Sequence, residues 1–404
     1  HTDFFSIFAT KNFIKKKGGW IPFDSFMFEC LYGNDDSYYM RRNTSLSGLP
    51  FGPSGDYVTS ASLGHWMAKA YADIYAGIIS KTSNIDKEVF AIREYGPGTG
   101  ELAAKILIEL FDQGILPKKY EMLEISQSFI EFQKNKIADI LKRHDESLYL
   151  KANNILEWKL VQVDCEEFAI NTDIDPINGL VIANEIIDSF PVKVALWQPT
   201  DEILELGIRI NDEGDLEFQN RLADDKLIKK VLHRKNQAIQ NGHSWTTPRM
   251  LDICLYTEPW LNNLMSKLNY GELIVSDYGL ERYELDSDNR IESNVTAFFK
   301  HTQISKLNEC LKNVGGQDLT YLVDFSQLSE FFLDQCDCYF QLKSQAAWLI
   351  DSGVLDQFTR NQDFLSKSHQ MIEEVGNLQK LLSDNEMGQS FLFCHVFKNN
   401  FSPA

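Results

Sequence analysis

The sequence predicts an α/β chain built on a doubly wound parallel sheet, and three observations carry that prediction. Apolar strand-like runs recur at 89–95, 120–125, 160–164, 180–184, 272–277, 339–343 and 391–397. Helical patterns follow the first two, over Glu101–Gln113 and Gln127–Arg143, and strands spaced by helices imply parallel pairing. The third observation is the turn between the first strand and its helix, Glu94-Tyr95-Gly96-Pro97-Gly98-Thr99-Gly100. A strand, a glycine turn and a helix in that order let a ligand approach bare backbone at a helix N-terminus.

The spacing of those glycines narrows the ligand. A phosphate-binding Walker loop ends in Gly-Lys-Ser/Thr, and none follows here. A dinucleotide fingerprint sets its third glycine five residues after the first, whereas Gly96, Gly98 and Gly100 occupy every second position. A turn that serves packing alone is the competing reading.

Composition bounds the rest. The chain of 404 residues holds one large domain or two smaller ones, and its 44% hydrophobic and 24% charged content is ordinary for a globular protein. A net charge of -19 argues against a nucleic-acid footprint and suits basic partners. The seven cysteines form no Cys-x-x-Cys pair, and the eight histidines are scattered, so reduced thiols and no metal site are expected. No apolar run approaches a membrane span, and no signal-peptide pattern opens the chain. The first residue is His, which suggests a trimmed chain or a tag remnant. The expected compartment is the cytoplasm, or the mitochondrial matrix if a transit peptide has been removed. No membrane partner is expected, and the oligomeric state stays open.

Three regions exceed a minimal sheet. Residues 1–85 precede the glycine motif and carry aromatic segments such as Trp20-Ile21-Pro22-Phe23 and Tyr38-Tyr39. They read as an N-terminal segment packing over the site, ahead of a core at 86–404. Residues 198–255 alternate apolar and polar through Ile203–Ile210 and turn at Asn211–Asp215, which predicts a β-hairpin followed by a helix. Residues 281–335 are polar and read as a helical lid. Both are expected to be substrate-side inserts.

Candidate site residues fall at strand ends. Glu124 closes the second strand, 24 residues beyond Gly100. There an acidic residue accepts both ribose hydroxyls of an adenosine ligand, unless it is simply solvated. Asp164 ends the third predicted strand and either accepts from an adenine amine or caps a helix. The fourth strand runs into Asn184-Glu185-Ile186-Ile187-Asp188-Ser189-Phe190-Pro191-Val192. Asn184 and Glu185 face the ligand crevice by position, while Asp188 is either a site residue or a cap. Asp277 ends the fifth strand as a turn or site residue.

The compact Gly-x-Gly-x-Gly after an acidic residue resembles the first motif of class I S-adenosylmethionine-dependent methyltransferases. The whole chain resembles the MidA family of such enzymes, which includes the mitochondrial respiratory complex I assembly factor. The resemblance falls on ordered, separated motifs: Phe23-Asp24-Ser25-Phe26-Met27, Leu31-Tyr32, Tyr38-Tyr39, Gly55-Asp56-Tyr57-Val58-Thr59-Ser60 and Asn184 to Val192. It continues through Asp277-Tyr278-Gly279, Gln317-Asp318-Leu319-Thr320, Val323-Asp324-Phe325, Gln345-Ala346-Ala347 and Glu386-Met387-Gly388. It implies a seven-stranded Rossmann-like sheet whose last strand inserts antiparallel. It also implies S-adenosyl-L-methionine as cofactor, held by Tyr57, Thr59, Glu94, Gly96, Gly98, Gly100, Glu124, Asp164 and Asn184. Methyl transfer to a protein arginine is the implied activity, with Glu185, Asp188 and Asp318 as catalytic carboxylates. The chain departs from the family in two places. Ala61-Ser62-Leu63-Gly64 replaces Pro-Glu-Ile-Ser, and Thr99 replaces the Arg between the last two glycines. Small-molecule methylation and a cofactor-binding assembly role are the alternatives.

Overall fold

The computed structural model describes residues 2–41, 65–82, 89–163, 170–171, 174–299, 302–304, 307–356, 369–383 and 391–398. Seven strands form its central path: β1 (Phe90–Tyr95), β2 (Lys119–Glu124), β3 (Leu156–Leu160), β4 (Ile177–Asn184), β5 (Leu268–Leu280), β6 (Tyr339–Ser344) and β7 (Phe391–Lys398). Their order is β6-β7-β5-β4-β1-β2-β3, and a short strand at Val323–Asp324 adds in parallel to the end of β5. β5, β4, β1, β2 and β3 are parallel neighbours. β7 runs antiparallel to both β5 and β6, as the class I resemblance implies. β1 is buried along its full length, which fits a parallel strand covered on both faces.

Alternation along the strands feeds two cores. Phe90 and Ile92 of β1, with Leu180 and Ile182 of β4, meet Tyr71 and Tyr75 of α3 (Trp66–Ser80) and Ile106 and Leu107 of α4 (Glu101–Asp112). Val181 and Ala183 of β4 and Val275 of β5 face the other way, onto Phe26 and Met27 of α2 (Phe23–Leu31). α5 (Gln127–His144) starts on Ser126, whose Oγ accepts from Phe129 N, and ends in Lys142, Arg143 and His144, matching both poles of the helix.

The third predicted strand needs correction. β3 is Leu156–Leu160, and Val161 and Val163 lie beyond it. The N-terminal segment also splits. α1 (Thr2–Lys16), α2 and the tyrosines after it sit on the crevice side, whereas α3 packs against α4 and β4 in the opposite layer.

The predicted hairpin is present as Ile203–Ile210 paired with Leu216–Leu222, followed by a helix at Asp225–Gln240. It belongs to a larger antiparallel sheet with Lys193–Trp197, Arg249–Ile253 and Trp20–Pro22. The N-terminal segment and this insert are therefore joined by hydrogen bonds. Residues 281–335 are not mostly helical. Thr296–Phe299, Thr302–Ile304 and Asp318–Thr320 form a three-stranded sheet, and among the described residues the helices are at Arg282–Leu285 and Phe325–Leu333, with a 3-10 turn at Leu307–Leu311. Among the described residues, no helix is long and apolar enough to cross a membrane.

β1 has β2 on one side and β4 on the other. The chain thus changes winding direction at this point, and the carboxyl ends of β1 and β4 open a crevice there.

Candidate active site

The glycine turn sits at the mouth of that crevice. Gly96, Gly98 and Gly100 have φ of 57°, 58° and 82°, a region that side chains with a Cβ rarely adopt. Their surroundings differ. A Cβ on Gly100 would lie 2.9 Å from Ile137 of α5, and one on Gly96 3.3 Å from Ile186, while nothing stands within 4 Å of one on Gly98. Gly100 therefore serves helix packing, and Gly98 opens onto a cavity it helps to line.

That cavity has a volume of about 120 Å³ and opens to solvent. Its lining includes Gly98, Glu124, Ile125, Phe129, Val161 and Val163, with Glu185, Ile186 and Phe190 from the turn after β4 and Tyr32, Tyr39 and Trp260. The wall is largely apolar and aromatic and carries two acids, Glu124 and Glu185.

Glu124 is not a solvated strand end: it is 4% exposed. Its Oε1 accepts from Ile125 N (2.8 Å) and Ser126 N (3.1 Å), and its Oε2 from Gln133 Nε2 (2.9 Å). A carboxylate offers about four acceptor positions, so about one remains for a ribose hydroxyl rather than two. Burial pushes its pKa up to about 7 against the pull of these donors. Gln133 also donates to Gly98 O (2.8 Å) and accepts from Trp158 Nε1 (3.1 Å). It ties the glycine turn to Glu124, and nothing in its sequence position announced it.

The remaining predicted residues divide. Glu94 lies on the opposite face of β1 from Tyr95, which lines the cavity. Its carboxylate accepts from Tyr120 Oη at 2.7 Å, and burial lifts its pKa to about 7. Asn184 accepts from Ser276 Oγ (2.7 Å), linking the ends of β4 and β5 rather than lining the cavity. Tyr57, Thr59 and Asp164 lie outside the described residues.

Of the three expected catalytic carboxylates, Glu185 lines the cavity and Asp188 and Asp318 do not. Glu185 has φ 56°, and its N–H donates to Ser276 O at 2.9 Å. A left-handed non-glycine residue costs on the order of 1–3 kcal/mol and concentrates at functional sites. Just after it, Asp188 N donates to Asp277 Oδ2 (3.0 Å), while Tyr278 N donates to Asp277 Oδ1 (2.8 Å). Asp277 is fully buried, and burial followed by the Asp188 charge pushes its pKa well up. Asp277 is thus a turn-holding residue behind the wall. Asp318 is buried and accepts from Tyr39 Oη at 2.9 Å. Sequence reasoning missed Tyr32, Tyr39 and Trp260 as wall residues. The only signal was the pair of tyrosine motifs in the N-terminal segment.

The arrangement of glycine turn, strand-tip acid and crevice has counterparts. The family model described as "Putative S-adenosyl-L-methionine-dependent methyltransferase" matches residues 63–342. The chain belongs to this family. S-adenosylmethionine is accordingly its cofactor, and methyl transfer its reaction class. No curated protein matches the sequence. Among solved structures, it resembles a COG1565 superfamily member from Burkholderia thailandensis bound to S-adenosyl-homocysteine. That match has a TM-score of 0.79 and 21% identity, covering 98% of this chain and 92% of that one. A native COG1565 superfamily protein from the same organism gives a TM-score of 0.76 at 21% identity, with the same coverage. These likenesses establish the fold.

The residues present fit the family's cofactor. Gly98 leaves room for close approach, the apolar wall of Phe129, Val161 and Val163 suits an adenine, and Glu124 keeps an acceptor position that a ribose hydroxyl can fill. Glu124→Ala is expected to lower affinity for S-adenosylhomocysteine at least about tenfold, because a hydrogen bond to a charged group contributes roughly 1.5–3 kcal/mol. A pH series adds a second readout. The folded pKa lies above the unfolded one, so the burial cost appears as pH rises through about 7. A ribose hydroxyl favours the ionised form, so affinity should drop by up to about tenfold per unit below that value. Glu124→Gln should flatten the profile, and Glu94→Gln serves as the control for the other buried acid. A change below twofold in the alanine variant would leave Glu124 a purely structural acid.

Proposed function

We propose that the chain methylates a protein arginine, as a member of the MidA branch that its separated motifs resemble. The observation that carries this reading is Glu185, an acid held in a left-handed conformation on the cavity wall, at the end of a different strand from Glu124. S-adenosylmethionine, when bound, supplies a methyl group activated by a positively charged sulfur. The protein's task is then to align the acceptor and keep water out. A guanidinium is protonated at neutral pH, so it needs a carboxylate to hold its planar fork and to take the proton its nitrogen gives up. Glu185 is placed for both. The net charge of -19 suits a basic protein acceptor. The N-terminal segment and the two inserts supply the acceptor side, and the seven-stranded core the cofactor side.

One observation favours a second reading. Tyr32, Tyr39, Phe190 and Trp260 give the cavity wall an aromatic lining, as a small apolar acceptor would require. Incubation with methyl-labelled S-adenosylmethionine and a cell lysate separates the two. Label in protein, released as methylarginine on hydrolysis, is the expected result. Label confined to the small-molecule fraction would overturn the arginine reading.

A further inference from the structure

We propose that Tyr32 and Tyr39 form the wall that receives the acceptor's planar cation, and that Asp318 is a positioning residue acting through Tyr39. This rests on the arginine reading and names the residues that select such an acceptor. The two rings stack with centroids 5.5 Å apart and planes 15° from parallel, and both line the cavity. Each hydroxyl is tethered to another element of the fold. Tyr32 Oη donates to Ser189 O at 2.9 Å, in the turn after β4, and Tyr39 Oη donates to Asp318 Oδ1 at 2.9 Å, in the strand at Asp318–Thr320. The tethers link segments 157 and 279 residues apart in sequence. Two rings fixed at their hydroxyls cannot swing away when the cavity fills.

The chemistry selects among cations. An aromatic face attracts a cation, and a guanidinium, planar and weakly hydrated, stacks there at lower desolvation cost than an ammonium. The same cluster already holds one such stack. Tyr38 meets Tyr39 edge-on at 5.0 Å, and the guanidinium carbon of Arg41 lies 5.1 Å from the centre of the Tyr38 ring. Burial, with the charges of Asp318, Asp188 and Glu124, keeps the Tyr32 hydroxyl protonated. The ring therefore stays neutral, and Glu185 on the same wall supplies the negative partner. Asp318, 1% exposed and off the cavity wall, touches that wall through its bond from Tyr39 Oη.

The test uses N-acetyl-arginine amide and N-acetyl-lysine amide as probes, titrated by ligand-observed NMR against the full chain loaded with S-adenosylhomocysteine. The arginine probe should bind at least about fivefold more tightly than the lysine probe, and Tyr39→Leu should remove that advantage without changing S-adenosylhomocysteine affinity. Tyr39→Phe and Asp318→Ala should each weaken the arginine probe in part, and the double variant no more than either alone, because both break one tether. Those two variants carry the test if Tyr39→Leu does not fold. Unchanged arginine selectivity in Tyr39→Leu, or in both tether variants where it does not fold, would overturn the wall. Additive losses in the double variant would overturn the role of Asp318. If wild type ignores the arginine probe, the arginine reading fails and this inference falls with it. A probe that binds but is indifferent to Tyr39 sinks the inference alone.

Discussion

Gly98→Val is expected to abolish binding of S-adenosylhomocysteine while the protein stays folded. A Cβ at this position meets no protein atom within 4 Å, so the new side chain enters the cavity rather than the core. The backbone cost of φ 58° is about 1–2 kcal/mol, and a valine, being β-branched, sits at the upper end. Domains have roughly 5–15 kcal/mol to lose, so the fold survives. The loop cannot retreat to make room, because Gln133 Nε2 holds Gly98 O at 2.8 Å. Gly100→Val is the contrasting variant. Its Cβ would stand 2.9 Å from Ile137, in the contact between α4 and α5, so it should lower the melting temperature. Calorimetry with S-adenosylhomocysteine, paired with thermal melts, reads both. Wild-type affinity in Gly98→Val would mean that this glycine also serves only packing.

The contrast between those glycines marks how far the sequence could be read. The spacing of Gly96, Gly98 and Gly100 placed the turn, and Glu124 followed from its place at a strand tip. Spacing could not separate the glycine that faces a ligand from the one that faces Ile137. β3 shows a related failure. Val161 and Val163 continue an apolar run, but they line the cavity, while the half-exposed Leu156–Leu160 forms the edge strand. An apolar residue reads the same whether it covers a core or a ligand. In residues 281–335 the described strands span only two to four residues each, too short to show alternation against a polar background. The Tyr39–Asp318 bond joins residues 279 apart in sequence, and no local pattern records such a pairing. Asp318 was read as a catalytic carboxylate because the motif marks the residue and not its partner.

Glu185→Gln is expected to keep cofactor binding and lose methyl transfer. The substitution is nearly isosteric, and the backbone bond from residue 185 N to Ser276 O at 2.9 Å does not depend on the side chain. The turn that follows is held separately, by Asp188 N on the buried Asp277 carboxylate, so the wall keeps its shape. What disappears is the charge that Glu185 gives the cavity wall. A glutamine offers a guanidinium one acceptor oxygen and no place for the proton that leaves as nitrogen bonds carbon. Removing such a group lowers turnover by about 10²–10⁴-fold. Affinity for S-adenosylhomocysteine should stay close to that of wild type, because Glu124 and the glycine turn, the expected cofactor contacts, are left unchanged. Transfer of labelled methyl to lysate proteins, measured beside calorimetry on the same preparations, gives both numbers. Equal loss of binding and transfer would place Glu185 on the cofactor. Undiminished transfer would remove it from the chemistry and leave the acceptor's proton to another group.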